Sequence, residues 1–168
     1  MGVNSIMIEK IVFIAPDEKL ADKASQVISE LNENIEVYQG SLSEGLKRAI
    51  QAVEDGANLI ISRGGTGNLI KRNLHIPVVN LETNSFDLIN AIYKAVDYSN
   101  NIAIVGFESL IFSVGRISEI MQEVFSSKII TIIIKNEREI DAKIKQLYQQ
   151  GNRVFIGGNA VIKATEKL

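Results

Sequence analysis

Seven residues, Ser62-Arg63-Gly64-Gly65-Thr66-Gly67-Asn68, hold most of the chemistry this chain can offer. Glycines at 64, 65 and 67 let the backbone pass close to a ligand and adopt positive φ. A helix beginning behind them presents N–H groups and a partial positive charge, which suit an anion. Ser62 and Thr66 add hydroxyls, and Arg63, one of six arginines, can fork onto a carboxylate or phosphate. The same residues also make a tight turn in which glycine serves geometry alone, and both readings stand at this stage. The glycine spacing matches neither G-x-G-x-x-G nor a P-loop, whose Lys-Ser/Thr end is missing.

Three further places carry polar or glycine residues where ligands could bind. Asn84 and Ser85 either cap a helix or turn its first N–H groups toward a ligand. In Gly106-Phe107-Glu108-Ser109, Phe107 is either core or a pocket wall. Glu108 with Glu82 is either a carboxylate pair or two separate rim charges. Gly157-Gly158-Asn159 repeats the glycine turn without an arginine. The lone His75 sits in the link before a strand and receives no function.

The absence of cysteine excludes disulfides, thiolate metal sites and cysteine nucleophiles. A single histidine excludes multi-histidine metal clusters and leaves only one weak route to a Ser-His-Asp set. No metal or cofactor is therefore expected, and no catalytic residue is singled out. With 168 residues, 46% of them apolar and 23% charged, it has the composition of a globular α/β protein rather than a disordered one. A net charge of −2, without a basic cluster interleaved with aromatics, argues against direct nucleic-acid binding. The longest aliphatic run, Ile129–Ile134 with Thr131 inside it, falls far short of the roughly 20 apolar residues of a membrane span. The first ten residues lack the pattern of a secretory signal. A cytoplasmic protein without membrane contact is expected.

The elements that must position these residues alternate. Short β-branched runs predict strands at Ile11–Ala15, Ile35–Tyr38, Asn58–Ser62, Pro77–Leu81, Ile102–Gly106, Ile129–Ile134 and Arg153–Ile156. Runs apolar throughout point to burial on both faces, as in a parallel sheet. Apolar residues at helical spacing predict helices at Leu20–Leu31, Ser85–Tyr98, about Ser113–Phe125, Glu137–Gln149 and Asn159–Leu168. Another helix opens at Ser41 with the Ser-x-x-Glu pattern of a capping box and stops at Gly56. A short one covers about Asn68–Asn73. Strand–helix alternation with crossovers of this length gives an α/β fold with parallel sheets. Ligands then bind beyond the carboxyl ends of the strands, where all the glycine and polar stretches fall.

The chain also resembles itself. Gly56–Asn68 can be laid on Gly151–Asn159, each a helix-ending glycine, a buried strand, a Gly-Gly turn and an asparagine opening a helix. Upstream, Lys10–Ala15 pairs with Asn101–Gly106. This predicts two similar three-layer α/β/α lobes with short parallel sheets, a Rossmann-like duplication with a ligand cleft between them. The expected division is a first lobe over residues 1–84, a connecting helix over 85–100 and a second lobe over 101–168. By the same register the chain stops where a fourth strand of the second lobe would begin, so a truncated second lobe is expected.

Gly56-Ala-Asn-Leu-Ile-Ile-Ser-Arg-Gly-Gly-Thr66, followed by Ile76-Pro77-Val78-Val79 and Phe86-Asp87-Leu88-Ile89-Asn90-Ala91-Ile92, resembles the N-terminal receptor domain of PrpR-type propionate-catabolism activators. These belong to the sigma-54-dependent transcriptional regulators. The resemblance extends from about Ile11 to Leu168. It implies a sensor of a small organic acid such as 2-methylcitrate, expected to associate as a homodimer. An ATPase domain and a DNA-binding domain, neither of them in these 168 residues, would reach sigma-54 RNA polymerase and DNA. The resemblance implies a sensor, not an enzyme; the ligand set drawn from the glycine and polar strand ends is Ser62, Arg63, Gly64, Gly65, Thr66, Gly67, Asn84, Ser85, Phe107, Glu108, Gly158 and Asn159. The Gly-Gly-Thr-Gly string also resembles the pterin-binding loop of molybdenum-cofactor biosynthesis enzymes, although Asn68-Leu69-Ile70 stands where that loop has an Arg-Asp pair. A ligand-free dimerisation module is the third alternative.

Overall fold

The computed structural model describes residues 10–81 and 83–168; Ser109, Phe112 and Ser113 are described by backbone alone. Glu82, on which the carboxylate pair with Glu108 depends, and the first nine residues lie outside the described residues.

The chain forms two compact units, Met1–Leu81 and Glu82–Leu168. The first runs β1 (Ile11–Ala15), α1 (Glu18–Glu30), β2 (Ile35–Gln39), α2 (Ser43–Glu54), β3 (Leu59–Arg63), α3 (Gly64–Asn73) and β4 (Val78–Leu81). Its four strands lie in the order β2-β1-β3-β4, and every pairing is parallel. Right-handed crossovers fix the layers. The chain moves from β1 to β2 in one direction and from β2 through β3 to β4 in the other. That puts α1 on one face and α2 with α3 on the opposite face. Val12, Ile14 and Ile60 point toward the second face and are fully buried with Ala49 and Ala52 of α2 and Ile70 of α3. The small alanines let α2 lie close to the sheet.

The second unit runs α4 (Ser85–Ala95), β5 (Asn101–Phe107), α5 (Glu108–Phe125), β6 (Lys128–Ile134), a 3-10 turn (Glu137–Glu139), α6 (Ile140–Gln149), β7 (Val154–Gly157) and α7 (Asn159–Thr165). Its described strands lie parallel in the order β6-β5-β7, which repeats β2-β1-β3. One face of this sheet is covered by α4 and α5, where Leu88, Ile92, Ala95, Val114 and Met121 bury Ile102 and Ile104. Ile140, Ile144 and Leu147 of α6 and Val161 and Ala164 of α7 are also buried. The fold is α/β with parallel sheets, as the alternation predicts.

Three local expectations change. The Ser41-x-x-Glu44 capping box does not form. Helix α2 begins at Ser43, with Leu42 in the cap position and no side-chain cap. The Leu42 N–H instead donates to Thr66 Oγ1 at 3.0 Å, so a tertiary partner replaces the local one. Helix α5 starts at Glu108, not near Ser113, directly after β5. Helix α3 starts at Gly64, four residues before Asn68, so the glycine stretch is helix rather than loop.

Candidate functional site

Parallel strands carry all their carboxyl ends to one edge, and in the first unit that edge gathers Pro16-Asp17, Gly40–Leu42, Arg63–Gly67 and Asn80-Leu81. The strand β3 passes into α3 without a connecting residue. Arg63 is its extended N-cap residue (φ −134°, ψ 142°) and Gly64 turns the chain at φ +58°. The first turn of α3 is thus Gly64-Gly65-Thr66-Gly67, where N–H groups lack partners within the helix. Arg63, Gly64 and Gly65 are half-buried, and Thr66 and Gly67 are buried. A ten-residue helix whose first turn carries a single side chain lets an anion approach its backbone closely.

Ser62 and Thr66 hold this turn in place. Ser62 is fully buried, and its hydroxyl donates to the Ile14 carbonyl at 2.8 Å, tying β3 to β1. Thr66, 2% exposed, accepts the Leu42 N–H and ties α3 to the β2–α2 turn. That turn is tight. A Cβ on Gly40 would lie 2.9 Å from the backbone of Gly45. Leu42 has φ +47° and ψ −115°, a region that side chains rarely occupy.

Asn80, which the sequence places only within the strand Pro77–Leu81, reaches the same turn. Its Nδ2 donates to the Gly64 carbonyl (3.2 Å) and to Asn68 Oδ1 (2.9 Å), spanning the first turn of α3 from the neighbouring strand. Its Oδ1 is buried without a hydrogen-bond partner and lies against Gly67, where an added Cβ would collide with it. The register that sets Ser62 beside Asn80 places it there, and that register is not visible in either strand alone.

The second unit repeats this edge. Val105 of β5 is in register with Gly157 of β7, so Phe107 and Glu108 emerge beside Gly158 and Asn159. Phe107 and Asn159 are half-buried; Glu108 and Gly158 are exposed. Gly157 packs against the Val105 carbonyl, at 2.6 Å from where a Cβ would stand. Gly158 is the extended cap residue of α7. Asn84 caps α4, its Oδ1 accepting the Asp87 N–H at 2.9 Å, and Ser85 opens that helix, exposed. Of the twelve predicted residues, Ser62–Gly67 form one cluster in the first unit. Phe107, Glu108, Gly158 and Asn159 share an edge in the second, and Asn84-Ser85 stand at the start of α4.

Shifted protonation equilibria occur elsewhere, along β2. Tyr38 donates its hydroxyl to Glu36 Oε2 (2.6 Å), and Lys10 Nζ lies 3.0 Å from Glu36 Oε1. The Tyr38 hydrogen bond, followed by that of Lys10, holds the Glu36 carboxyl below its ordinary range. His75 is exposed. Among the described residues no group of three His, Asp or Glu side chains could hold a metal ion. No helix among them is long and apolar enough to cross a membrane.

The fold has a counterpart among solved structures. The crystal structure of an NtrC family transcriptional regulator from Clostridium acetobutylicum is similar over 96% of this chain and 84% of that one, with a TM-score of 0.81 and 24% identity. A periplasmic ribose ABC transporter structure from Conexibacter woesei DSM 14684 covers 95% of this chain and 68% of its own at 14% identity, but its TM-score of 0.42 carries no argument. No curated protein sequence matches the chain. A sequence profile of the propionate catabolism activator family matches residues 29–168, which include β2, the glycine turn of α3 and the whole second unit. The chain therefore belongs to the propionate catabolism activator family, in which it is the N-terminal regulatory domain.

Proposed function

We propose that this domain receives a small organic anion and passes its presence to the rest of a sigma-54-dependent regulator. The observation that carries the reading is the first turn of α3. There Arg63 precedes a helix start made of three glycines and one buried threonine, pinned by Asn80 from β4. That arrangement suits a carboxylate, because backbone N–H groups and a guanidinium act together where few side chains obstruct approach. The ligand is a di- or tricarboxylate of propionate breakdown, such as 2-methylcitrate. In this reading Arg63, Gly64, Gly65 and Gly67 contact the ligand, and Ser62 and Thr66 hold the turn. Asn84, Ser85, Phe107, Glu108, Gly158 and Asn159 contribute from the second unit. The ligand favours one conformational state of the domain over others, and that population shift controls an ATPase region and DNA binding elsewhere in a homodimeric, cytoplasmic regulator.

Calorimetric titration of the chain with citrate, 2-methylcitrate, succinate and propionate tests the reading. Binding of one tricarboxylate below millimolar Kd is expected, with Arg63→Ala weakening it about tenfold or more. Absence of any binding better than millimolar, or an Arg63→Ala variant that binds unchanged, would overturn it.

A further inference from the structure

The two units repeat one strand order but finish its outer strand differently. Among the described residues β2 pairs only with β1, and β6 only with β5. An edge strand offers N–H and C=O groups to any further strand, and charged side chains along it discourage such pairing. Strand β2 is short and charged. Its five residues include Glu36, which accepts from Tyr38 and lies 3.0 Å from Lys10 Nζ. Strand β6, Lys-Ile-Ile-Thr-Ile-Ile-Ile, has no charge after Lys128 and follows β5 for its whole length. Ile133 within it is 51% exposed. Strand β7, at the other edge of that sheet, has only four residues.

We propose that β6 pairs with β6 of a second copy of this chain, antiparallel about a two-fold axis, so that two three-stranded sheets become one of six strands. Opposite residues in such a ladder both turn their hydrogen-bonding groups away from β5, so the axis passes through a residue and not between two. Charge selects the residue. With the axis at Ile132, Lys128 stands opposite the partner's Asn136. Asn136 prolongs the extended run (φ −149°, ψ 162°), and its Nδ2 donates to Glu139 Oε1. The Lys135 N–H donates to the other carboxylate oxygen, Oε2, at 3.4 Å. A carboxylate is thus fixed at the end of the edge, where it meets the ammonium of the partner's Lys128. Lys128 is exposed and has no ion pair among the described residues. The axis makes two such contacts. Shifting it to Thr131 sets Lys128 against the partner's Ile134, and shifting it to Ile133 sets Lys128 against the partner's Arg138, a like charge. About Ile132, Ile133 also covers the partner's Thr131. The edge is therefore complementary to itself in backbone and in charge, which is what a two-fold interface requires. The proposal rests on the homodimer of the preceding reading and names its contact, without using any residue of the glycine turn.

Sedimentation of the 168-residue chain over a range of concentrations tests this. The expected mass is twice 18.5 kDa, falling to 18.5 kDa on dilution. Lys128→Glu and Glu139→Lys each set like charges together at both contacts, and each alone should raise the dimer Kd about tenfold or more. Mixed in equal amounts, the two variants should recover the dimer, because each then meets the opposite charge. Mixing would not repair a fold damaged by either change. The chain has no cysteine. Ile132→Cys should therefore form a disulfide between copies on mild oxidation, since opposite Cα atoms in such a ladder lie about 5 Å apart. Ile130→Cys, which stands opposite the partner's Ile134 and away from its own counterpart, should not. A chain that stays monomeric up to millimolar concentration would overturn the proposal. So would a dimer that both charge variants leave unchanged, or one that cross-links at 130 and not at 132; either result would keep the homodimer but move its interface to another face. Carboxylate titration of the same chain gives its answer regardless of these outcomes, so either idea can fail alone.

Discussion

At the scale of single residues, the glycine turn is held by contacts that tolerate no added bulk. A Cβ at Gly67 meets Asn80 Oδ1, so Gly67→Ala is expected to destabilise the fold by about 1–3 kcal/mol, the usual cost of overpacking. Asn80→Ala removes the colliding atom, and the double variant should recover part of the loss in thermal denaturation. Additive losses would show that the collision is not the cause. Gly64 differs, because nothing stands within 4 Å of its missing Cβ and only its φ of +58° requires glycine. Gly64→Ala should cost about 1–2 kcal/mol, and Gly64→Asn, which enters the left-handed region more easily, less than that. Along β2, Tyr38→Phe removes the hydrogen bond that contributes most to the lowered Glu36 equilibrium. The Glu36 pKa should rise, as read by carboxyl-carbon NMR titration. A carboxyl lowered in the folded state adds stability above its unfolded pKa and loses it as pH falls through the folded value. Tyr38→Phe should therefore narrow the difference in stability between neutral and acidic pH, slightly, since the pair is solvent-exposed.

At the scale of elements, caps and junctions separate what local sequence controls from what it does not. Asp17 and Asn84 accept from Leu20 and Asp87 as their spacing suggests. Asn84→Ala should cost about 1 kcal/mol and fray the first turn of α4, seen as faster amide exchange at Asp87 and Leu88. Ser41 has equally good capping spacing, and α2 nonetheless starts after it. The Leu42 N–H is taken by Thr66 from another helix, a partner 24 residues away that no local pattern announces. The same limit hides the true start of α3. Glycine is a poor helix former in isolation, so Gly64-Gly65 reads as loop. In the fold, Asn80 and the β3 register hold both residues in the first turn.

For the whole molecule, each of the two units has a core of its own among the described residues, where a chain of 168 residues could have formed a single one. One centres on Val12, Ile14, Ile60 and Ile70, the other on Ile92, Ile102 and Ile104. Truncating a fully buried isoleucine in either should cost about 2–5 kcal/mol in that unit. Ile60→Ala is expected to raise amide exchange through residues 11–81 while leaving β5 and β7 largely protected, and Ile92→Ala to do the reverse. Uniform loss of protection throughout would show that the units unfold as one.

The alternation of strands and helices, the parallel sheets, the duplicated strand–glycine–helix pattern and the family are legible in the amino-acid sequence. These follow from hydrophobic periodicity and from residue types within a few positions of one another, which local physics reads directly. Tertiary packing alone sets which distant backbone groups the polar side chains meet. Ser62 and Thr66 read as ligand donors in the string Ser-Arg-Gly-Gly-Thr-Gly; in the fold Ser62 donates to the Ile14 carbonyl and Thr66 accepts the Leu42 N–H. Asn80 looks like an ordinary strand residue, yet it pins the turn. Strand register sets those partners, and register arises from packing whole faces together rather than from any single stretch of sequence.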